Sequence, residues 1–252
     1  MKLLRWSPTP SSGVAPEGDP AFELAVDEAC LLGAESGRLG QTLRLWEFRH
    51  PVVVLGRSSK WESETDVAAC RKHGVPVYRR CSGGASIMGG PGCLMYSVVL
   101  SHDALPGASK INAAHDYVMD RLLEAVRAQL PDARRDGICD LVWRNCKFSG
   151  NALRVAREHT LYHGTVLYDI DVTMIEACLD FAPRQPEYRD GRSHAAFVTN
   201  APLDAYELSA DIAVAFGATS APLGELLPSE ILDLAVRLAR ERYGTEGWRL
   251  KR

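Results

Sequence analysis

Between Asp19 and Gly37 the apolar residues Phe22, Val26, Ala29 and Leu32 recur at helical spacing. Asp19 is placed as N-cap and Pro20 at the first helical position, so the pattern predicts an amphipathic helix ending near Gly37. A second long helical period starts near Ser109, carried by Ile111, Ala114, Val118, Leu122, Ala125 and Val126. Shorter helical patterns are "ETDVAACRKHG", closed by Gly74 at C′, then "VTMIEACLDF", "LDAYELSADIAVAFG" and "SEILDLAVRLARERYG".

Strand patterns lie between them. "KLLRWS" reads as a short first strand, followed by a loop, "PTPSSGVAPEGDP", whose prolines and glycines bar regular structure. "TLRLWEF" alternates and "PVVVLG" is continuously apolar, two strands predicted to form an antiparallel pair. "VPVYR" and the β-branched, aromatic "CLMYSVVL" flank a glycine-rich stretch. Between Asp140 and Asp169, "LVW", "ALRVA" and "TLYHGTVLY" predict a β-meander. With no internal repeat, this order predicts an α+β fold of mixed, mostly antiparallel sheets flanked by helices. A single domain is expected over 1–252, its C-terminal part, 204–252, helical.

Composition narrows the partners. The chain is 46% hydrophobic, enough for a substantial core, and its net charge of −3 gives no electrostatic footprint for nucleic acid. No apolar stretch reaches the roughly 18 residues of a membrane span, and "MKLLRWSPTP" lacks the apolar core of a signal peptide, so a cytoplasmic protein without membrane contact is expected. The seven cysteines are scattered without a C-x-x-C pair, which suggests neither a disulfide framework nor a metal site.

The candidate chemistry is concentrated in three places. "RRCSGGASIMGGPG", Arg79 to Gly92, is neither a Walker A loop nor a dinucleotide fingerprint, since it lacks the Gly-Lys-Ser/Thr ending and leads to a strand. Two readings remain: a glycine-rich hairpin at a sheet corner, or an anion-binding nest of backbone N–H groups clamped by Arg79 or Arg80. "NCKFSGNALR" sets Lys147 in a small-residue segment, followed by Ser149, Gly150 and Asn151; the lysine is either solvated or a point charge for an anion that changes shape during reaction. In "YHGTVLY", His163 and Gly164 interrupt a strand.

In order and spacing, "RRCSGGASIMGGPGCLMYS", "CKFSGNALR" and "LYHGTVLY" resemble the three signature segments of the lipoate–protein ligase A family, within the biotin and lipoate protein ligase superfamily. "FELAVDEACL" and "LRLWEFRHPVVVLGRSSKW" look like the family's first helix and upstream strands, and "QPEYRDGRSHAAFVTN" is similar to a segment of shorter ligase-like members. The resemblance extends over about 1–205. It implies the ligase-like catalytic fold and an enzyme that uses ATP, with Mg²⁺ bound through the nucleotide, to activate lipoate and attach it to a lysine of a lipoyl carrier domain. It further implies Lys147 as the catalytic residue, Arg80, Gly83, Gly84, Ala85, Ser86, Ile87 and Met88 as nucleotide-binding, and Lys147, Ser149, Gly150, Asn151, His163 and Gly164 as contacts of the acyl substrate. No metal ligand of the protein's own is implied.

Two departures stand out: the family's third consecutive glycine is Ala85, and its His-Asp pair is Gly89-Gly90. The family's additional small C-terminal domain is not expected here, which leaves room for a separate accessory subunit. Two alternatives stay open. An octanoyltransferase of the same superfamily would move an acyl group from a carrier thioester and needs a thiol nucleophile, for which Cys139, Cys146 and Cys178 are the candidates near the lysine segment. An inactive ligase-like subunit is the other, supported by the missing His-Asp pair. A biotin ligase is disfavoured, because the arginine-rich glycine loop of such enzymes is absent.

Overall fold

The computed structural model describes residues 1–5, 18–218 and 224–251. Strand β1 (Lys2–Arg5) leads, across a segment that holds most of the expected proline-rich loop and lies outside the described residues, to helix α1 (Pro20–Glu35). Asp19 caps α1 through the N–H of Ala21 at 3.0 Å, as its position before Pro20 predicts.

The expected antiparallel pair does not form. β2 (Thr42–Trp46) and β3 (Val52–Leu55) belong to different sheets, because Phe48 between them turns inward, is 1% exposed, and packs against the bare Gly89. β3 instead pairs in parallel with β4 (Val77–Arg79) and antiparallel with β5 (Ile87–Gly89), a strand inside the glycine stretch. The helical pattern expected over 64–74 forms as α3 (Val67–Lys72), capped by Asp66 after the extended Thr65, and a separate short helix, α2 (Trp61–Glu64), precedes it.

The large sheet is completed by β6 (Cys93–Ser101), and, after helix α4 (Ile111–Arg127), by β7 (Arg134–Asp136), β8 (Asp140–Trp143), β9 (Cys146–Val155) and β10 (His159–Leu167), the last three forming the expected meander. Helices α5 (Val172–Cys178), α6 (His194–Phe197) and α7 (Ala205–Ala215) follow, then β11 (Glu225–Leu226), α8 (Ser229–Leu238), a π-helical turn over Ala239–Tyr243, and α9 (Glu246–Arg249). The sheet order is β11-β1-β2-β6-β10-β9-β8-β7, antiparallel except where β1 meets β2 and β11. This is the mixed, mostly antiparallel α+β architecture the pattern predicts. The sheet carries α4 and α7 on one face, and α1, α8 and the small sheet on the other, with a hydrophobic core on each side. Among the described residues no helix is long and apolar enough to cross a membrane.

α1 is not amphipathic. Nearly its whole length is buried, acidic residues included, because the C-terminal helices cover the face that hydropathy assigns to water. The acids are neutralised by long-range partners: Glu23 and Asp27 by Arg44, and Glu28 by Arg154, Arg242 and Tyr243. Burial works to raise the pKa of Glu28, but the hydrogen bonds from Arg154 and Tyr243 and the charge of Arg242 outweigh it and hold the carboxyl low. Its stabilisation is therefore complete above its ordinary value of about 4.5 and is lost as pH falls through the lower folded value. Glu28→Gln is expected to lower unfolding stability at pH 7 by about 2–3 kcal/mol, below the 3–5 typical of a broken buried pair because its arginines are partly exposed. Urea unfolding of both proteins at pH 7 and pH 3 checks this; the difference should shrink in acid.

Candidate active site

A cleft runs between the two sheets, and Lys147 stands in the middle of it. On β9, Phe148 points into the core beneath the large sheet while its neighbours Lys147 and Ser149 face the cleft, the alternation of a strand. The lysine side chain lies across Gly150: a Cβ there would stand 2.9 Å from both Cε and Nζ. Its Nζ meets Asp140 Oδ1 at 2.7 Å, and the other oxygen of Asp140 accepts from Tyr188 Oη at 2.8 Å. Asp140 is buried, so the ammonium is oriented by a fixed carboxylate rather than left to solvent.

Lys147 separates two adjoining pockets that share Ala85, Ser86, Ile87, Gly150 and Thr165. The inner one reaches into the fold between Leu24, Val54, Met95 and Ala152, and ends at polar groups. There His163 Nδ1 lies 2.9 Å from Asp27, and its Nε2 lies 2.5 Å from Ser82 Oγ. Burial works to raise the pKa of Asp27, but the hydrogen bond to His163 and the charge of Arg44 hold it low. The outer pocket is walled by Glu64, Met88, Ile175, Leu179 and the segment from Asp180 to Val198. A groove along Gly83, Gly84 and Ala85 joins it past Ala182 and Arg184. Apart from Arg79, every residue nominated by the motifs lines one of these adjoining pockets, although the motifs come from separate strands and loops.

The two arginines before the glycines differ. Arg79 is fully buried, and its donors go to the carbonyls of Gly56, Ser59, Trp248 and Lys251 at 2.7–3.0 Å, so it cannot clamp a ligand. Arg80 lines the inner pocket and bonds Ser82 Oγ at 3.0 Å and the carbonyls of Gly83 and Ala85 at 2.5 and 2.9 Å, which curls the loop around it. Burial brings it down to about 10, still charged at neutral pH. Of the loop N–H groups, that of Ser86 is bound at 3.0 Å by the Glu64 carboxylate, which also accepts from Ser86 Oγ at 2.7 Å. The amide of Asn151 is likewise committed to the protein: Nδ2 donates to Cys139 O at 2.6 Å and Oδ1 accepts from Tyr96.

No cysteine is among the residues that line either pocket. Cys139 donates to Asn151 O at 3.2 Å and is pushed up to about 11 by burial and the neighbouring Asp140. Cys146 faces Ala196 O, and Cys178 is fully buried. Asp140, Tyr188, Glu64 and Asp27 are site residues that the motifs do not reveal. Asp27 and Asp140 signal themselves only as acids inside apolar runs, Glu64 and Tyr188 lie in polar stretches without even that signal, and the partners that give all four meaning lie far along the chain.

The cleft is thus a cationic junction, at Lys147, between two mainly apolar pockets with a few polar groups at their ends. The chain belongs to the family of the lipoyl protein ligase A/B catalytic domain, whose model matches residues 19–202. Its relatives include the octanoyltransferase LipM of Geobacillus kaustophilus, 29% identical over 65% of this chain and 66% of that protein, just under two thirds of its length. They also include lipoate–protein ligase 1 of Staphylococcus aureus, 23% identical over 91% of this chain and 70% of that protein. Among solved structures, the bipartite lipoate protein ligase of Thermoplasma acidophilum, studied with its E2 lipoyl domain, superposes with a TM-score of 0.80 at 25% identity, covering 100% of this chain and 97% of that one.

Proposed function

We propose that the protein is an ATP-dependent lipoate–protein ligase. The observation that supports this best is the position of Lys147 between two pockets that contain no thiol. In this reading the acyl tail fills the inner pocket with its carboxylate at Lys147, while the nucleotide occupies the outer pocket and the glycine groove. A carboxylate oxygen attacks the α-phosphorus and pyrophosphate departs, its charge neutralised by Mg²⁺ carried on the nucleotide. Both reactants are anions, and a fixed ammonium between them lowers their repulsion and the charge of the transition state. Asp140 and Tyr188 act through Lys147, as positioning residues. Next the amine of a carrier lysine attacks the acyl carbon of the mixed anhydride, loses a proton, and AMP leaves. The acceptor is a lipoyl carrier domain, by analogy with the archaeal ligase's partner, and that ligase's bipartite make-up supports an accessory subunit here. The reading places the enzyme in the cytoplasm.

The octanoyltransferase relatives favour a second reading, acyl transfer from a carrier thioester through a cysteine. The thiols are poorly placed for it, and the one nearest Asp140 is held protonated at neutral pH. Serine replacements at Cys139, Cys146 and Cys178 are each expected to retain more than about half of the activity, since none contributes a nucleophile. The assay supplies a lipoyl domain with either free lipoate, ATP and Mg²⁺, or octanoyl carrier protein alone. Labelling only in the first arm supports the ligase. Labelling in the second, abolished by one serine replacement with an acyl-thioester trapped on that cysteine, establishes the transferase.

A further inference from the structure

Arg189 ends a short 3₁₀ turn over Glu187–Arg189 and forms part of the outer pocket's wall. It is 5% exposed, with its guanidinium carbon over the rings of Phe181, at 4.5 Å from the centroid, and Phe197, at 4.9 Å. Nε donates to Arg192 O at 2.9 Å, whereas the buried Nη2 has no hydrogen-bond partner. Burial lowers its pKa, and Glu176, the carboxylate whose charge opposes this, spends an oxygen on the N–H of Ala195 at 2.7 Å. An unpaired donor of a buried cation is costly unless something outside the chain satisfies it. Arg189 lines the pocket wall with this donor unspent, and the planar fork of a guanidinium suits an oxyanion that enters the pocket and reaches it. Arg184 and His194 line the same wall, with His194 stacked on Phe181 at 5.6 Å; of the two carboxylates there, Glu64 is engaged by Ser86, and Asp180 is the other.

We propose that the Nη edge of Arg189 is a phosphate-binding site of the outer pocket. The inference rests on reading that pocket as the seat of a phosphate-bearing substrate, and it adds the group that receives the phosphate, a residue of the segment "QPEYRDGRSHAAFVTN", which the sequence leaves without a role. The phosphate could be that of an adenine nucleotide, for the ligase, or that of the phosphopantetheine arm of a carrier, for the transferase, and the probes below separate the two.

Calorimetric titration of the wild type, Arg189→Met and Arg189→Lys with ATP, adenosine, 4′-phosphopantetheine and pantetheine tests the site. Methionine keeps the packing against the two rings and removes the charge. For Arg189→Met a roughly 10- to 100-fold rise in the Kd of ATP is expected, with adenosine affinity unchanged and part of the loss recovered by lysine. If the wild type prefers 4′-phosphopantetheine to pantetheine, fails to bind ATP, and loses that preference in Arg189→Met, the phosphate site stands and the ligase reading falls. The proposal is overturned if Arg189→Met binds the phosphate probes as tightly as the wild type, if ATP and adenosine weaken equally, or if the wild type binds neither phosphate probe. Should Arg189→Met fail to fold, Arg189→Lys decides: an unchanged ATP affinity overturns the site, and a loss confined to the phosphate probes supports it.

Discussion

Lys147→Ala is expected to lower the rate of acyl-adenylate formation by on the order of 10³-fold, the scale of losing a preorganised charge aimed at a transition state. ATP–pyrophosphate exchange in the presence of lipoate measures it directly. The affinity for lipoate should fall far less, because the inner pocket is built from Leu24, Val54, Met95 and Ala152 and keeps its shape without the lysine. The fold will not be indifferent, as it would be to the loss of a solvated lysine. Nζ is the ion-pair partner of a nearly buried Asp140, and removing it leaves that carboxylate with Tyr188 alone. A loss of about 1–3 kcal/mol is expected in urea unfolding, moderated by the 29% exposure of the lysine side chain. A folded Lys147→Ala protein exchanging pyrophosphate at the wild-type rate would falsify the assignment of Lys147.

The contrast between Lys147 and Asp140 shows what the sequence makes legible. Lys147, the glycine loop and His163 sit in compact motifs whose order along the chain marks them, and the cleft contains all of them. Asp140 is a single acid at the start of "DLVW", and only the pairing of β8 with β9, with its bulge between Leu141 and Val142, brings it to the lysine. Arg189 is harder still to read, because its neighbours Phe181 and Phe197 meet it only once the 180–198 segment has folded over the cleft. The same limit explains two of the departures in the fold. Hydropathy assigns Glu23, Asp27 and Glu28 to water, since a buried acid and an exposed one look alike until Arg44, Arg154 and Arg242 are placed. A short connection between two strands likewise suggests a hairpin, unless one knows that Phe48 within it packs on Gly89 and divides the sheets.

Gly164→Ala should damage both the fold and the acyl pocket, and the geometry says why. A Cβ at Gly164 would stand 1.7 Å from Asn151 Oδ1 and 2.9 Å from the carbonyl oxygen of Gly150 on the paired strand, so Asn151 must leave its place. Its Oδ1 accepts from Tyr96, whose hydroxyl is carried by a side chain with no exposure, and its Nδ2 satisfies Cys139 O at 2.6 Å. Overpacking of a filled interior costs about 1–3 kcal/mol, and stranding a buried donor about as much again. A total of roughly 2–5 kcal/mol is therefore expected in urea unfolding. Because Gly150 carries the Lys147 side chain across its bare Cα, any shift of that strand also moves the ammonium away from Asp140. Adenylate formation should then fall further than lipoate affinity in whatever fraction of Gly164→Ala remains folded. Wild-type stability together with wild-type exchange would mean that β10 can retreat from Asn151 without cost, and that the inner pocket does not depend on the close contact between these strands.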